Sequence, residues 1–299
     1  MRYGFAKAYA KVNLTLDVLG LRDDGYHDLR MVMQSVSLHD SVSVRIGCGE
    51  DVATVSNVRH IPNDDRNIVI KATRAFLDAT GIDCGGVYIA VEKRIPSSAG
   101  MAGGSADGAA VLRLLNELTE AGLSDEKLCE IGVGVGADIP FCLMGGTSLA
   151  EARGEVLTPL SPLAGCIFVI AKPGKGMSTK NVFAAIDSEP VSVRPDTDGM
   201  INAVRLGNIA AVSEKLCNVF EPVVTRQAPE ILRIKEALCE NGALSAVMTG
   251  SGSAVFGIFE DGTRALSAKN ELSKKYDEVF VARPVDADKV RNCTEIFER

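Results

Sequence analysis

Apolar positions alternate with other residues from Ala8 to Val18, and the same two-residue period returns over Met31 to Leu38, Ser41 to Ile46 and Val87 to Val91, so the first hundred residues are predicted to be mostly strand. One helix interrupts them. Ile68 to Thr80 carries apolar residues at helical spacing and closes at Gly81. After residue 106 the period changes: Asp107 to Ala121 and Ser124 to Gly132 are predicted helices, with Ser124 as N-cap ahead of Asp125 and Glu126. A second unit begins near Pro162. It has a buried-type strand over Cys166 to Ala171 and further strands over Ala246 to Met248, Ala254 to Phe259 and Glu278 to Ala282. Its predicted helices are Ser178 to Ile186, Met200 to Arg205 and Pro229 to Asn241. The order is that of an α+β protein of two domains, 1–161 and 162–299, the second in the split βαβ style.

Between the strand ending near Val91 and the helix after Asp107 lies Pro96-Ser97-Ser98-Ala99-Gly100-Met101-Ala102-Gly103-Gly104-Ser105-Ala106-Asp107. Such small side chains let backbone approach an anion, and the following helix points unpaired N–H groups at it. The segment therefore reads either as a phosphate cradle or as a tight packing turn. The P-loop pattern and the dinucleotide pattern both fail on it: Gly104 is followed by Ser105-Ala106 without lysine, and the glycine spacing is wrong.

Composition narrows the field. The 299 residues are 46% hydrophobic, with both charge signs interspersed and a net charge of −7, as for a packed globule. That charge gives no footprint for nucleic acid, and a polyanion would need a local patch such as Lys93-Arg94 with backbone amides. No apolar stretch of membrane-spanning length and no leader-like start is present, so a soluble cytoplasmic protein is expected, with no nucleic-acid or membrane partner. Eight scattered cysteines without a C-x-x-C pair indicate neither a metal site nor a disulfide framework, and are expected to be mostly small buried hydrophobes.

Four further segments carry chemistry. Lys11 and Asn13 share one face of an apolar strand, which is either turned to a ligand or exposed at a sheet edge. Asp138, in Gly136-Ala137-Asp138-Ile139-Pro140-Phe141, suits a helix cap and a catalytic carboxylate alike. The Asp24-Gly25-Tyr26-His27-Asp28 turn offers an aromatic ring and an imidazole to a flat ligand, whereas His39 and His60 are expected to be structural. Thr249-Gly250-Ser251-Gly252 is a hairpin turn or a second wall beside phosphates. The glycines from Gly132 to Gly136 would suit a dinucleotide turn, and hence a NAD-dependent dehydrogenase, only if a strand preceded them; a helix is predicted there instead.

Taken in order, Ala10-Lys11-Val12-Asn13-Leu14, the Gly-Tyr-His turn, Lys93-Arg94-Ile95-Pro96, Gly103-Gly104-Ser105, the Asp138 block, Gly145-Gly146-Thr147 and the Thr249 loop resemble the blocks of the GHMP kinase family over nearly the whole chain. The resemblance implies a fold with an N-terminal domain like domain 2 of ribosomal protein S5, a C-terminal ferredoxin-like domain, and an active site in the cleft between them. It implies ATP-dependent phosphorylation, with Mg2+, of a small-molecule alcohol by a monomer or weak homodimer. The Gly-Tyr-His turn and the Asp138 block match the branch acting on a cytidine-diphosphate-linked tertiary alcohol of the non-mevalonate isoprenoid route. Mevalonate, homoserine or sugar kinases of the family, and a non-catalytic binding protein of the same fold, are the rivals. By resemblance, Pro96 to Ala106 hold the phosphates, Asn67 lies near adenine, and Tyr26 and Phe183 sandwich cytosine. Asn13 and His27 hydrogen-bond that base, and Lys11 and Asp138 are the catalytic pair, Lys11 orienting Asp138. No residue is assigned as a dedicated metal ligand, Ser105 being the expected contact to Mg2+ or phosphate. Ala102 and Ala106 stand where the family often has glycine and serine, and Asp107 is expected to point away from the loop.

Overall fold

The computed structural model describes residues 2–174, 176–188, 191 and 193–298. Its first sheet is built on two long antiparallel strands, β1 (Arg2–Leu21) and β2 (His27–Ile46), joined by the turn through Gly25. Then come β3 (Val52–Ser56), α1 (Ile68–Thr80), β4 (Val87–Glu92), α2 (Gly103–Leu118), α3 (Asp125–Val133), α4 (Ile139–Met144), β5 (Thr147–Ala152) and β6 (Val156–Pro159). The strand break expected near His39 is instead a change of neighbours. The lower half of β2 pairs β5 and the upper half pairs β4, while β1 slips register between Tyr9 and Lys11.

The second sheet comes from β7 (Ile167–Lys172), α5 (Thr179–Asp187), α6 (Thr197–Arg205), α7 (Ile209–Glu214), β8 (Cys217–Asn218), α8 (Glu221–Gln227), α9 (Glu230–Glu240), β9 (Ser245–Met248), β10 (Val255–Phe259), α10 (Gly262–Leu272) and β11 (Glu278–Ala282). Its strand order β11-β7-β10-β9, antiparallel throughout, is the ferredoxin-like arrangement expected for the second unit. The changeover between sheets falls between β6 and β7. The chain does not stay there, however: after α11 (Ala287–Arg291), the final strand β12 (Thr294–Glu298) returns to pair with the start of β1, and β8 also pairs β1.

Burial explains where alternation fades. Ala6, Ala8, Ala10, Val12 and Leu14 turn one face of β1 onto the core that holds Phe76 of α1 and Leu112 and Leu115 of α2. Past Tyr9 the opposite face is covered as well, because Leu16, Val18, Met31 and Met33 pack into the second core with Val169, Phe220 and Met248. Lys11 and Asn13 are thus buried, at 4% and 0% exposure, which rules out an edge-strand face. Among the described residues no helix is long and apolar enough to cross a membrane. The cysteines depart from expectation: only Cys166 is fully buried, Cys239 is exposed and the other six lie between, in loops and strand ends that sequence patterning does not rank by depth.

Candidate active site

A cleft of about 1150 Å³ opens between the two sheets, lined by the Pro96 to Ser105 loop, Lys11, Asp138, the Tyr26 turn, the amino end of α5 and the Gly250 loop. Its volume exceeds the range usual for one small ligand, so two can meet in it.

The loop is shaped for an anion. Ser98, Gly100 and Ala102 all have positive φ, and Ala102, at the N-cap of α2, gives no side-chain bond to the first turn. The N–H groups at the start of this 16-residue helix therefore face the cleft without a side-chain cap. Pro96 to Ser105 all line the cleft, whereas Ala106 is buried beneath it. Gly100 is obligatory: its φ is +75°, and a Cβ there would stand 2.2 Å from Thr249 O. The Thr249 loop is accordingly a second wall, backed by Asn218, whose Nδ2 donates to Met248 O and Gly250 O at 2.8 Å each.

Lys11 reaches the cleft through the slip in β1, its own N–H donating to Met101 O at 3.2 Å. Its ammonium donates to Asn13 Oδ1 at 2.7 Å. Among the described residues it makes no ion pair with Asp138. The two charges still share one neighbourhood, since both act on the half-buried Cys142, whose thiol is raised well above its usual pKa by desolvation and then by Asp138, against Lys11. Asp138 occupies the N-cap position of α4, with Pro140 in the first turn, yet its side chain makes no capping bond. Its carboxylate is left to the cleft. Asn13, expected at the base, is buried away from the cleft surface, and its oxygen also accepts from Thr249 Oγ1 at 3.3 Å.

At the other end Tyr26 stands exposed at the rim with the Arg153 guanidinium 5.0 Å from its ring centre. His27 stacks on Phe183 at 4.7 Å and bonds through Nε2 to Asp187 Oδ1 at 2.7 Å, and Phe183 rests edge-on against Phe220. Tyr26, His27 and Phe183 all line the cleft. Asn67 does too, but its polar atoms are engaged: Oδ1 caps α1 at Val69 N and Nδ2 donates to Pro62 O.

Two expectations change. Lys93 is not a free cation of a surface patch: it is buried, its ammonium held between Asp40 and Asp107. Asp107 does not point outward but turns under the loop, where burial and the Asp40 charge, opposed by Lys93, push its pKa up to about 8. Burial alone would depress Lys93, yet the carboxylates of Asp107 and Asp40 outweigh it and hold the ammonium above the ordinary lysine value. Gly132 to Gly136 form the turn closing α3, with Gly132 O accepting from Val135 N and Gly136 N at 2.9 Å, so no strand leads into them. Sequence reading passed over Asp40, Arg153, Asp187 and Asn218, because each acts through a partner far along the chain. His60 has more context than expected, its Nε2 lying 3.2 Å from Ser97 Oγ of the loop.

Known proteins match this arrangement. Residues 67–146 match the GHMP kinases N terminal domain and residues 200–278 the GHMP kinases C terminal domain. The 4-diphosphocytidyl-2-C-methyl-D-erythritol kinase of Clostridium acetobutylicum is 44% identical over 279 residues, covering 93% of this chain and 99% of that protein. The protein so named from Caldicellulosiruptor saccharolyticus is 45% identical over 275 residues, covering 92% and 94%. A crystal structure of 4-(cytidine 5'-diphospho)-2C-methyl-D-erythritol kinase superposes with a TM-score of 0.79 at 31% identity, covering 94% of this chain and 98% of that one. Homoserine kinase from Cytophaga hutchinsonii shares the fold, with a TM-score of 0.78 at 17% identity over 99% and 97% of the chains. The chain belongs to the GHMP kinase family.

Proposed function

We propose that this kinase transfers the γ-phosphoryl group of ATP to the tertiary 2-hydroxyl of 4-diphosphocytidyl-2-C-methyl-D-erythritol, giving the 2-phosphate and ADP in the non-mevalonate route to isoprenoid precursors. The observation that carries it is one cleft with an anion-binding loop at one end, an aromatic pocket at the other, and Lys11 and Asp138 lining it. The names of the similar proteins support the same substrate.

Phosphoryl transfer to an alcohol needs an oriented hydroxyl, an acceptor for its proton, and charge neutralisation away from water. Asp138, uncommitted to its helix, accepts the proton. Lys11, held by Asn13, neutralises charge developing beside it. Backbone N–H groups from the Pro96 to Ala106 loop and the start of α2 hold the ATP phosphates, and Asn67 forms the wall toward the adenine. Tyr26 and Phe183 take the cytosine between them, with His27, fixed by Asp187, as its polar contact. Ser105, which lines the cleft at the phosphate loop, would be this chain's own contact to a Mg2+ ion bound with the nucleotide. Such an ion would supply neutralisation of the charge on the ATP phosphates. The cleft is complete within one chain, which supports a monomer or weak homodimer, and the reading takes the enzyme as cytoplasmic.

The test is ATP consumption by purified protein with Mg2+ and each of four acceptors: the cytidine compound, mevalonate, homoserine and galactose. Turnover with the cytidine compound alone is expected. Turnover with another acceptor instead would overturn the substrate assignment, and none with any acceptor would leave a binding protein.

A further inference from the structure

Outside the reacting groups, the most heavily buried charged cluster near the cleft is Asp40, Lys93 and Asp107, whose side chains are 0%, 6% and 6% exposed. The three come from three elements. Asp40 is in β2, Lys93 follows β4, and Asp107 lies just past the first turn of α2. Asp40 Oδ1 accepts from Arg94 N and from Ile95 N, the latter at 2.8 Å, and its other oxygen accepts from the Lys93 ammonium. Lys93 Nζ also donates to Asp107 Oδ2 at 2.5 Å. One chain of charged hydrogen bonds therefore joins the entry of the phosphate loop to its exit and anchors both to the sheet.

We propose that Asp40, Lys93 and Asp107 are positioning residues that latch the two ends of the phosphate loop and thereby set the affinity for ATP, without taking part in the transfer step. The inference rests on the reading that this loop holds the ATP phosphates.

Three features support it. The loop seats Ala99 and Met101 in the core but takes positive φ at Ser98, Gly100 and Ala102, a costly backbone path that surrounding contacts must hold in place. The ammonium lies directly under the first turn of α2, since a Cβ on Gly103 would stand 3.4 Å from Lys93 Nζ, so the latch bears on the N–H groups that face the anion. Finally, Asp107 Oδ1 is buried without a hydrogen-bond partner. A buried charged cluster with one polar atom left unpaired is a poor way to gain stability, because well-packed apolar groups do as well or better; what it gives instead is direction and geometry. Lys93 lines the cleft, but two of its three ammonium protons are given to Asp40 and Asp107, so its main engagement is with the two ends of the loop.

The experiment compares Asp107→Ala, Asp107→Asn and Lys93→Met with wild type by calorimetric binding of a non-hydrolysable ATP analogue, steady-state kinetics, and amide hydrogen exchange of residues 97–105 in the free protein. Asp107→Ala and Lys93→Met are expected to weaken analogue binding and raise the KM for ATP by about tenfold or more, the scale of a lost charge-assisted hydrogen bond, with kcat and the acceptor KM within about threefold. Loop exchange should rise in both. Asp107→Asn, which keeps an acceptor for Lys93, should stay near wild type in all three. Unchanged analogue affinity and loop exchange in both disrupted variants would overturn the latch, as would a loss confined to kcat. If Asp107→Ala does not fold, Lys93→Met and Asp107→Asn still decide. Failure of wild type to bind the analogue would instead sink the ATP site itself, which separates the two readings.

Discussion

Lys11 and Asn13, two residues apart on β1, are joined side chain to side chain: the ammonium donates to the amide oxygen at 2.7 Å. Asn13 is itself tied across the cleft floor, its N–H donating to Thr249 Oγ1 at 3.0 Å. The lysine that faces the reacting groups is thus aimed by an asparagine rooted in the second domain's loop.

Replacing Asn13 with alanine is therefore expected to act on turnover. It leaves a buried ammonium without its acceptor, an effect of roughly 1.5–3 kcal/mol for a hydrogen bond to a charged group, so kcat should fall about 10- to 100-fold. The KM for the cytidine acceptor should move little. A large rise in that KM with kcat intact would instead make Asn13 a direct contact to the base.

Asp138→Asn removes the proton acceptor while keeping shape. Loss of a positioned general base typically lowers the rate by roughly 10²- to 10⁴-fold, or about 3–5 kcal/mol of barrier. Binding of an ATP analogue should be almost unaffected, because the phosphate loop is built from other residues. Unaltered turnover in a single-turnover assay would sink the assignment.

Tyr26→Ala and Phe183→Ala should each raise the acceptor KM and leave the ATP KM alone. Stacking on a base is worth about 1–3 kcal/mol by alanine substitution, so the rise is on the order of 5- to 100-fold. Phe183 should cost more than Tyr26. Its ring is seated against Phe220 and His27, whereas Tyr26 is 56% exposed and steadied chiefly by Arg153. An equal rise in the ATP KM would place the pocket at the nucleotide end.

How far the sequence carried these conclusions depends on the range of the interaction. The Ser124 cap, the helix end at Gly81 and the strand Glu278 to Ala282 are local matters of capping and alternation, and each stands where it was expected. Two strands were expected, Met31 to Leu38 and Ser41 to Ile46, yet β2 runs on through His39 and Asp40, which stay paired with Tyr9 and Ala8; the irregularity lies at Val36 and Ser37, which bond to residues 283–284, some 250 positions away. Sequence separation likewise hid Asp187 behind His27, 160 positions away, and Asp40 behind Lys93, 53 positions away. β12 was missed altogether, since five residues at the chain end carry little pattern until β1 provides the edge they join.

Asp107 makes stability depend on pH in an unusual direction. An aspartate titrates near 3.9 in an unfolded chain, and here burial beside Asp40 raises it to about 8 in the fold. Between those values the folded state holds a proton that the unfolded state has released, so stability falls as pH rises through that window, and this contribution is flat below and above it. Asp107→Asn cannot titrate. In urea melts at pH 5 and pH 8 the variant should therefore gain on wild type at the higher pH, and a constant difference would refute the assignment of the proton.

Two glycines of the same loop should respond unequally to one added methyl group. At Gly100 an alanine would need a left-handed φ of +75° and would drive its Cβ to 2.2 Å from Thr249 O, so the two loops that wall the phosphate site would have to separate. Backbone strain of roughly 1–2 kcal/mol and overpacking of roughly 1–3 kcal/mol both apply, and Gly100→Ala should lose about 3 kcal/mol and bind ATP weakly. At Gly104 the φ is ordinary and the new Cβ meets only Ile68 Cγ2 at 3.4 Å, so Gly104→Ala should stay within about 1 kcal/mol of wild type in urea melts. Equal losses at both positions would mean that the loop tolerates no side chain for reasons of flexibility, and that contact with the Thr249 loop does not shape the phosphate site.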